Sequence, residues 1–189
     1  MSRFDEEPGV TDLVLLVEGR KIYVTKAILM HVSPVFKTMF TSDFREKDQQ
    51  ELLLPGKKYD NFVLFLTQIY PGERPPLTGD VLRKILPYVD EYQVDYLKKD
   101  CQNILVQGLE VSKGMRYLLE NLYIATTYGF QELYQKALHL LRIFPLDPCR
   151  QSNIFQRLPS ETKLDLAFAR CRHLEKKKES YKKKLAKKS

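Results

Sequence analysis

A chain of 189 residues is long enough for one large or two small domains, each able to bury a core. Its 43% hydrophobic and 29% charged content fits a soluble globular protein. No apolar run approaches the roughly 20 residues that cross a bilayer, and the opening Met1 to Glu7 lacks the apolar run of a secretory signal. The net charge of +7 is local: residues 170–189 carry ten Lys and Arg against two Glu, a balance of +8, and the other 169 residues sum to −1. The folded body therefore has no electrostatic reason to bind nucleic acid. Cys101, Cys149 and Cys171 are odd in number and widely scattered. They read as reduced thiols of an intracellular protein, cytoplasmic or nuclear, and not as a disulfide framework.

In chain order, Asp12–Val17 and Lys21–Val24 are short β-prone runs, and the intervening Glu18-Gly19-Arg20 predicts a hairpin. Thr25 is placed to cap a short helix over Lys26–His31. Ser33-Pro34 reads as a helix start, a hydroxyl cap followed by proline where no amide donor is needed. Val35, Phe36, Met39 and Phe40 then form an apolar stripe at helical spacing. Leu52–Leu54, closed by Pro55-Gly56, fits a short buried strand.

A helix is expected from Tyr59 to Tyr70, stopped by the proline-rich loop from Pro71 to Pro76. Thr78 or Asp80 would cap the next helix, Val81–Tyr92, with a kink or break near Leu86 forced by Pro87. A helix over Gln93–Val106 follows, and Gly108 reads as a boundary. Beyond it the pattern is wholly helical: Val111–Tyr128 and Gln131–Phe144 joined at Gly129, a break at Pro145 and Pro148, and a last helix opened by Pro159-Ser160-Glu161.

This order, together with Asp12-Leu-Val-Leu-Leu-Val17 and Gly19, Ala27-Ile-Leu29, Ser33–Phe40, Ile69-Tyr70-Pro-Gly and Tyr92–Leu97 with Cys101, resembles the BTB/POZ domain over residues 10–106. The stretch 109–160, with Asn121–Ala125, Tyr128-Gly129 and Leu133, resembles the helical BACK-type extension, and 161–189 is a basic C-terminal helix. The resemblance implies an α+β fold: a small β-sheet flanked by helices, followed by an all-helical extension. One departure from the family pattern is Thr25, where members often carry His.

The resemblance also implies partners. Families that recruit cullin-3-class ubiquitin ligase scaffolds carry a hydrophobic–x–Glu motif where this chain has Phe44-Arg45-Glu46, and an aromatic in the same groove where it has Tyr70. An aromatic beside a charge on a connecting segment suits a protein anchor; the alternative is that Phe44 packs back on its own domain. The implied two-fold interface falls at Val14, Leu16, Ala27, Ile28, Met30 and Val32. Residues 28–30 and Val32 surround a very short helix with apolar side chains, more than one core-facing side needs. A homodimer would cover the surplus, and so would helices of the same chain.

Catalytic chemistry is not signalled. His31, His139 and His173 make no metal-ligand spacing beyond the single Cys171-Arg-His173 pair, and there is neither a phosphate-cradling glycine loop nor a Gly-x-Ser-x-Gly turn. The sequence therefore points to a cofactor-free protein adaptor, working with itself, a cullin-3-class scaffold and a protein substrate. In the tail, Leu164, Ala167 or Phe168, Cys171, Leu174, Tyr181 and Leu185 fall near heptad spacing, interrupted by Lys178. Three readings stand open there: a solvated helix end, a partner helix, or contact of residues 170–189 with nucleic acid or membrane.

Overall fold

In a computed structural model, residues 4, 11–41, 50–72, 74–111 and 114–186 are described. The chain divides into two compact units, residues 1–101 and 102–189. Each is built from its own short-range logic.

The first unit opens with strands β1 (Leu13–Val17) and β2 (Arg20–Val24), paired antiparallel. The turn is two residues, Glu18 and Gly19, with φ of 50° and 75°. Two left-handed residues are what a tight type I′ hairpin requires, and Arg20 thereby joins the strand instead of the loop. Glu18 holds this otherwise uncommon conformation through its carboxylate, which accepts from Lys58 Nζ at 2.7 Å and from the Tyr59 amide at 2.9 Å. These hydrogen bonds lower the Glu18 pKa, chiefly through Lys58.

Helices α1 (Lys26–Val32) and α2 (Pro34–Thr41) follow and pack on one another. Thr25 sits at the α1 cap position without a side-chain cap bond. The cap comes from elsewhere: Asp12 Oδ1 accepts from the Lys26 amide at 2.7 Å. Ser33, 1% exposed, does cap α2, accepting from the Phe36 amide at 3.1 Å while its hydroxyl donates to the Tyr92 carbonyl at 2.6 Å. One buried hydroxyl thus starts a helix and ties it to a chain segment 59 residues away.

Strand β3 (Glu51–Leu53) pairs parallel to β1, giving the order β2-β1-β3. It lies one residue earlier than expected and at the sheet edge, so Leu52 and Leu54 are buried while Leu53 is 63% exposed. Helix α3 (Tyr59–Ile69) and α4 (Gly79–Glu91) pack together. Thr78 caps α4, accepting from the Val81 amide at 3.4 Å. Pro87 does not break α4, which continues through it to Glu91. The core joins Phe36, Phe62, Phe65 and Tyr92, with Phe36 stacked on Tyr92 at 4.3 Å and 10°. Such offset ring pairs add to the area they bury.

Helix α5 (Asp95–Val111) contains the division between the units and runs straight through Gly108. Gly108 is a packing residue, not a stop: a Cβ there would lie 2.5 Å from the Tyr117 hydroxyl oxygen. In the second unit α6 (Met115–Tyr128) and α7 (Gln131–Leu141) form the expected helical hairpin, with Gly129 at φ 71° in the C-cap. Between Pro145 and Pro159 two short helices form, α8 (Leu146–Arg150) and α9 (Asn153–Arg157). The prolines break the long helical run but leave single turns, and Ser152 caps α9 on the Ile154 amide at 3.3 Å. The 27-residue α10 (Ser160–Ala186) ends the described chain and packs on α7.

Candidate protein-interaction surfaces

The alternation of β1 divides its residues between two faces. Leu13, Leu15 and Val17 point into the core, whereas Val14 and Leu16 are half-buried on the opposite face. The register puts Leu16 opposite Leu53 and Val14 opposite Glu51, so the edge strand extends this outer face. Lys21 reaches across it to Glu51 at 2.7 Å.

Helix α1 presents the second group of candidate residues. Leu29 is wholly buried; Ile28, Met30 and Val32 are half-buried, and Ala27 is exposed. Ala27 and His31, one turn apart, border two hollows of about 580 and 600 Å³. One hollow runs past Met30 towards Pro34 and Lys37 on α2; the other runs past Ile28 towards Ile69, Arg74 and Tyr96. The helix is therefore a low ridge between two depressions, apolar at its flanks and basic at the rims. A ridge beside a groove is self-complementary under a two-fold axis, because each copy offers both parts.

Tyr70, the third scaffold-binding candidate named from the sequence, is 8% exposed. Its ring meets Phe4 edge-on at 5.0 Å, and its hydroxyl accepts from the Thr25 amide at 2.8 Å. It thus anchors the junction between β2 and α1 from the C-terminal end of α3. Phe44 and Glu46 lie outside the described residues, between the end of α2 at Thr41 and the start of β3 at Glu51. Among the described candidates, those on β1 share one sheet face and those on α1 share one ridge.

Sequence reasoning missed Leu53, Tyr96 and Arg74. Leu53 joins the outer face only through the parallel pairing with β1, which has no local signature. Tyr96 is 41% exposed, and burial of the rest of its ring raises the phenol pKa. Nothing in the local pattern of α5 marked the hollow that Tyr96 borders.

In the second unit, polar contacts tie α10 to α7. Tyr134 donates to Asp165 Oδ2 at 2.6 Å, and Arg170 donates to the Arg142 and Ile143 carbonyls at 3.1 and 2.9 Å, tying α10 to the end of α7. Leu164, Phe168, Leu174, Tyr181 and Leu185 on α10 are exposed. Cys101 and Cys149 are buried and Cys171 exposed, all three as free thiols; burial pushes Cys101 up to about 12, far from a reactive thiolate. Among the described residues no three His, Cys, Asp or Glu side chains gather as a metal site would need, and no helix is long and apolar enough to cross a membrane.

Comparison with known proteins bears on the first unit above all. A BTB/POZ domain model matches residues 1–109. BTB and MATH domain-containing protein 38 of Caenorhabditis elegans is 30% identical over 145 residues, covering 73% of this chain and 37% of that protein. Kelch repeat and BTB domain-containing protein 4 of Mus musculus is 27% identical over 161 residues, covering 85% of this chain and 29% of that protein. The chain thus spans 37% and 29% of these two relatives' own lengths. A solved structure of the BTB domain of human gigaxonin is similar at 23% identity, over 50% of this chain and 77% of that chain, with a TM-score of 0.42. The BTB domain is a protein-interaction module, generally without enzymatic activity. The match takes in the three-stranded sheet, the α1–α2 pair and the aromatic core, and the chain belongs to the BTB/POZ family.

Proposed function

We propose that this protein is a non-catalytic homodimeric adaptor that brings a protein substrate to a cullin-3-class ubiquitin ligase scaffold. One observation carries the reading: in a chain of this family, the Phe44-x-Glu46 motif directly follows a helix whose start is locked by the buried Ser33. The resemblance implies that Phe44 and Glu46 dock the scaffold. Tyr70 contributes by holding the β2–α1 junction through the Thr25 amide. The α1 ridge, with Ala27, Ile28, Met30 and Val32, and the outer sheet face, with Val14 and Leu16, form the dimer seam. Residues 10–106 serve as the BTB domain, 109–160 as a BACK-type extension and 161–189 as a basic helix, all inside the cell. The adaptor works by raising the local concentration of substrate near a transferase, doubled by dimerisation.

The test is binding of the full chain to a purified cullin-3 N-terminal region by calorimetry. Wild type is expected to bind at micromolar concentration or better, and Phe44→Ala with Glu46→Ala to weaken binding at least about a hundredfold, as loss of a central anchor does. Absence of wild-type binding, or an unaffected double variant, rejects the scaffold assignment. A second reading, an assembly scaffold that needs no cullin, is favoured by the exposed Leu164, Leu174, Tyr181 and Leu185 on α10, which suit a partner helix. In that case the double variant assembles as the wild type does, and deletion of residues 170–189 abolishes assembly.

A further inference from the structure

In the second unit, α7 and α10 leave a cleft of about 580 Å³ between them. Arg142 and His139 line it from α7, and Arg172, His173 and Lys176 from α10. A single carboxylate, Asp165, shares the lining, and its Oδ2 already accepts from the Tyr134 hydroxyl at 2.6 Å. We propose that this cleft is a binding site for a ligand with clustered phosphate groups, gripped by Arg142, Arg172 and Lys176 and by the imidazoles of His139 and His173. The assignment does not depend on the adaptor reading.

Three features favour this chemistry. Two guanidinium groups, Arg142 bonded on one side to the His139 carbonyl and Arg172 through Nε to the Phe168 carbonyl at 3.4 Å, keep further N–H donors that match phosphate oxygens, and Gln135 adds a neutral donor. The cations surround one hollow of a size usual for small-molecule sites, whereas an acidic peptide strings its carboxylates along a chain. Leu138 and Ala169 supply the apolar lining, and no Phe, Tyr or Trp ring is among the lining residues to give a nucleobase a broad stacking platform. On the same face of α10, Lys183 and Lys184 border an adjoining hollow that shares Lys176 and adds attraction at longer range.

The histidines make the site sensitive to pH. Both imidazoles are lowered from their ordinary range, by burial first and then by Arg142 for His139, and by Arg142, Arg170 and Lys177 for His173. Arg172, Lys176 and the hydrogen-bonded Asp165 face them across the same cleft. A bound dianion opposes this depression and favours the protonated rings. Binding therefore takes up protons, and affinity rises as pH falls through the imidazole range.

The chain has three histidines, so His31 on α1 is an internal reference for imidazole NMR on the full chain. Inorganic pyrophosphate is expected to raise the pKa of His139 and His173 by about half a pH unit or more while His31 stays in place. Sulfate, whose charge is constant here, should bind about threefold tighter or more at pH 6 than at pH 8. Arg142→Gln with Arg172→Gln should weaken pyrophosphate at least about tenfold, and Lys183→Gln with Lys184→Gln less than about twofold. If the arginine pair does not fold, Arg172→Gln alone, at an exposed position, carries the same comparison.

Phosphatidylcholine vesicles carrying phosphatidylinositol bisphosphate separate the two sources of phosphate. If they move the same two imidazoles more than pyrophosphate does, the ligand is a headgroup; if pyrophosphate alone moves them, it is a soluble ester. The proposal is overturned if all three imidazoles respond alike or none responds, or if the lysine pair matters as much as the arginine pair. It is equally overturned if a glutamate oligopeptide of equal charge matches pyrophosphate.

Discussion

The α1 ridge and the α7–α10 cleft are both open to solvent, yet they are made of opposite materials. Around α1 the half-exposed groups are mainly aliphatic, and elsewhere in the same unit charges meet partners: Lys21 with Glu51, Lys57 with Glu91, Lys58 with Glu18 and Lys98 with Asp90. Around the cleft, basic side chains converge on one engaged carboxylate. Burial of apolar area is non-directional and barely responds to salt; an ionic cleft is directional and screened within roughly 10 Å at moderate salt. The contrast is what the proposed dimer seam and the proposed anion site would each require.

The strongest way to break this comparison is to put charge on the ridge. Ala27→Asp with Met30→Asp places like charges across a two-fold seam and should weaken self-association at least about a hundredfold, or about 2.7 kcal/mol. Sedimentation equilibrium reads the change directly. Wild-type association should also stay within about twofold when salt is raised, as expected of an apolar seam. A monomeric wild type, or a steep salt dependence, removes the ridge from the dimer account.

Polar anchors give a smaller and sharper contrast. Ser33→Ala strips the cap from α2 and leaves the buried Tyr92 carbonyl without its donor, at a cost of about 2–3 kcal/mol in urea unfolding. Tyr134→Phe removes a hydrogen bond to Asp165 at a half-exposed position and should cost about 1 kcal/mol or less. Equal losses at the two sites would mean that the second unit relies on buried polar order as much as the first.

The smallest effect concerns Gly108. Alanine there gains helix propensity of about 1 kcal/mol but drives its methyl into the Tyr117 hydroxyl, so the single variant should be destabilised. Combined with Tyr117→Phe it should recover, with a coupling of about 1 kcal/mol in a double-mutant cycle. Additive behaviour would show that Tyr117 swings aside and that the glycine is not required for packing.

Much of the fold could be read locally. The β1–β2 hairpin, the Ser33-Pro34 start, the Thr78 cap and the Gly129 hinge follow from residues within one turn of each other, and all four occur. The misreadings have a common cause. Pro87 and Gly108 carry breaker chemistry, but packing of the flanking apolar faces and the close approach of Tyr117 hold both inside helices. Thr25 looks like a cap, and the cap arrives instead from Asp12, 14 residues away in sequence. The candidate surfaces divide in the same way: Ile28, Met30 and Val32 were legible as surplus apolar residues on a short helix, whereas Leu53 and Tyr96 required strand pairing and the path of α5.

The amino-acid sequence by itself determined which segments become helix or strand, where most of them start, and that nearly all the net charge sits in the last twenty residues. Propensity, capping and periodicity act over a few residues and are carried by the chain wherever it goes. Only the tertiary structure decided that β3 joins β1 in parallel, that Ser33 reaches Tyr92, and that His139 and His173 share a cleft with two arginines. Those groups are brought together by burying apolar faces, an interaction that selects area and shape and leaves no mark at fixed spacing in the sequence.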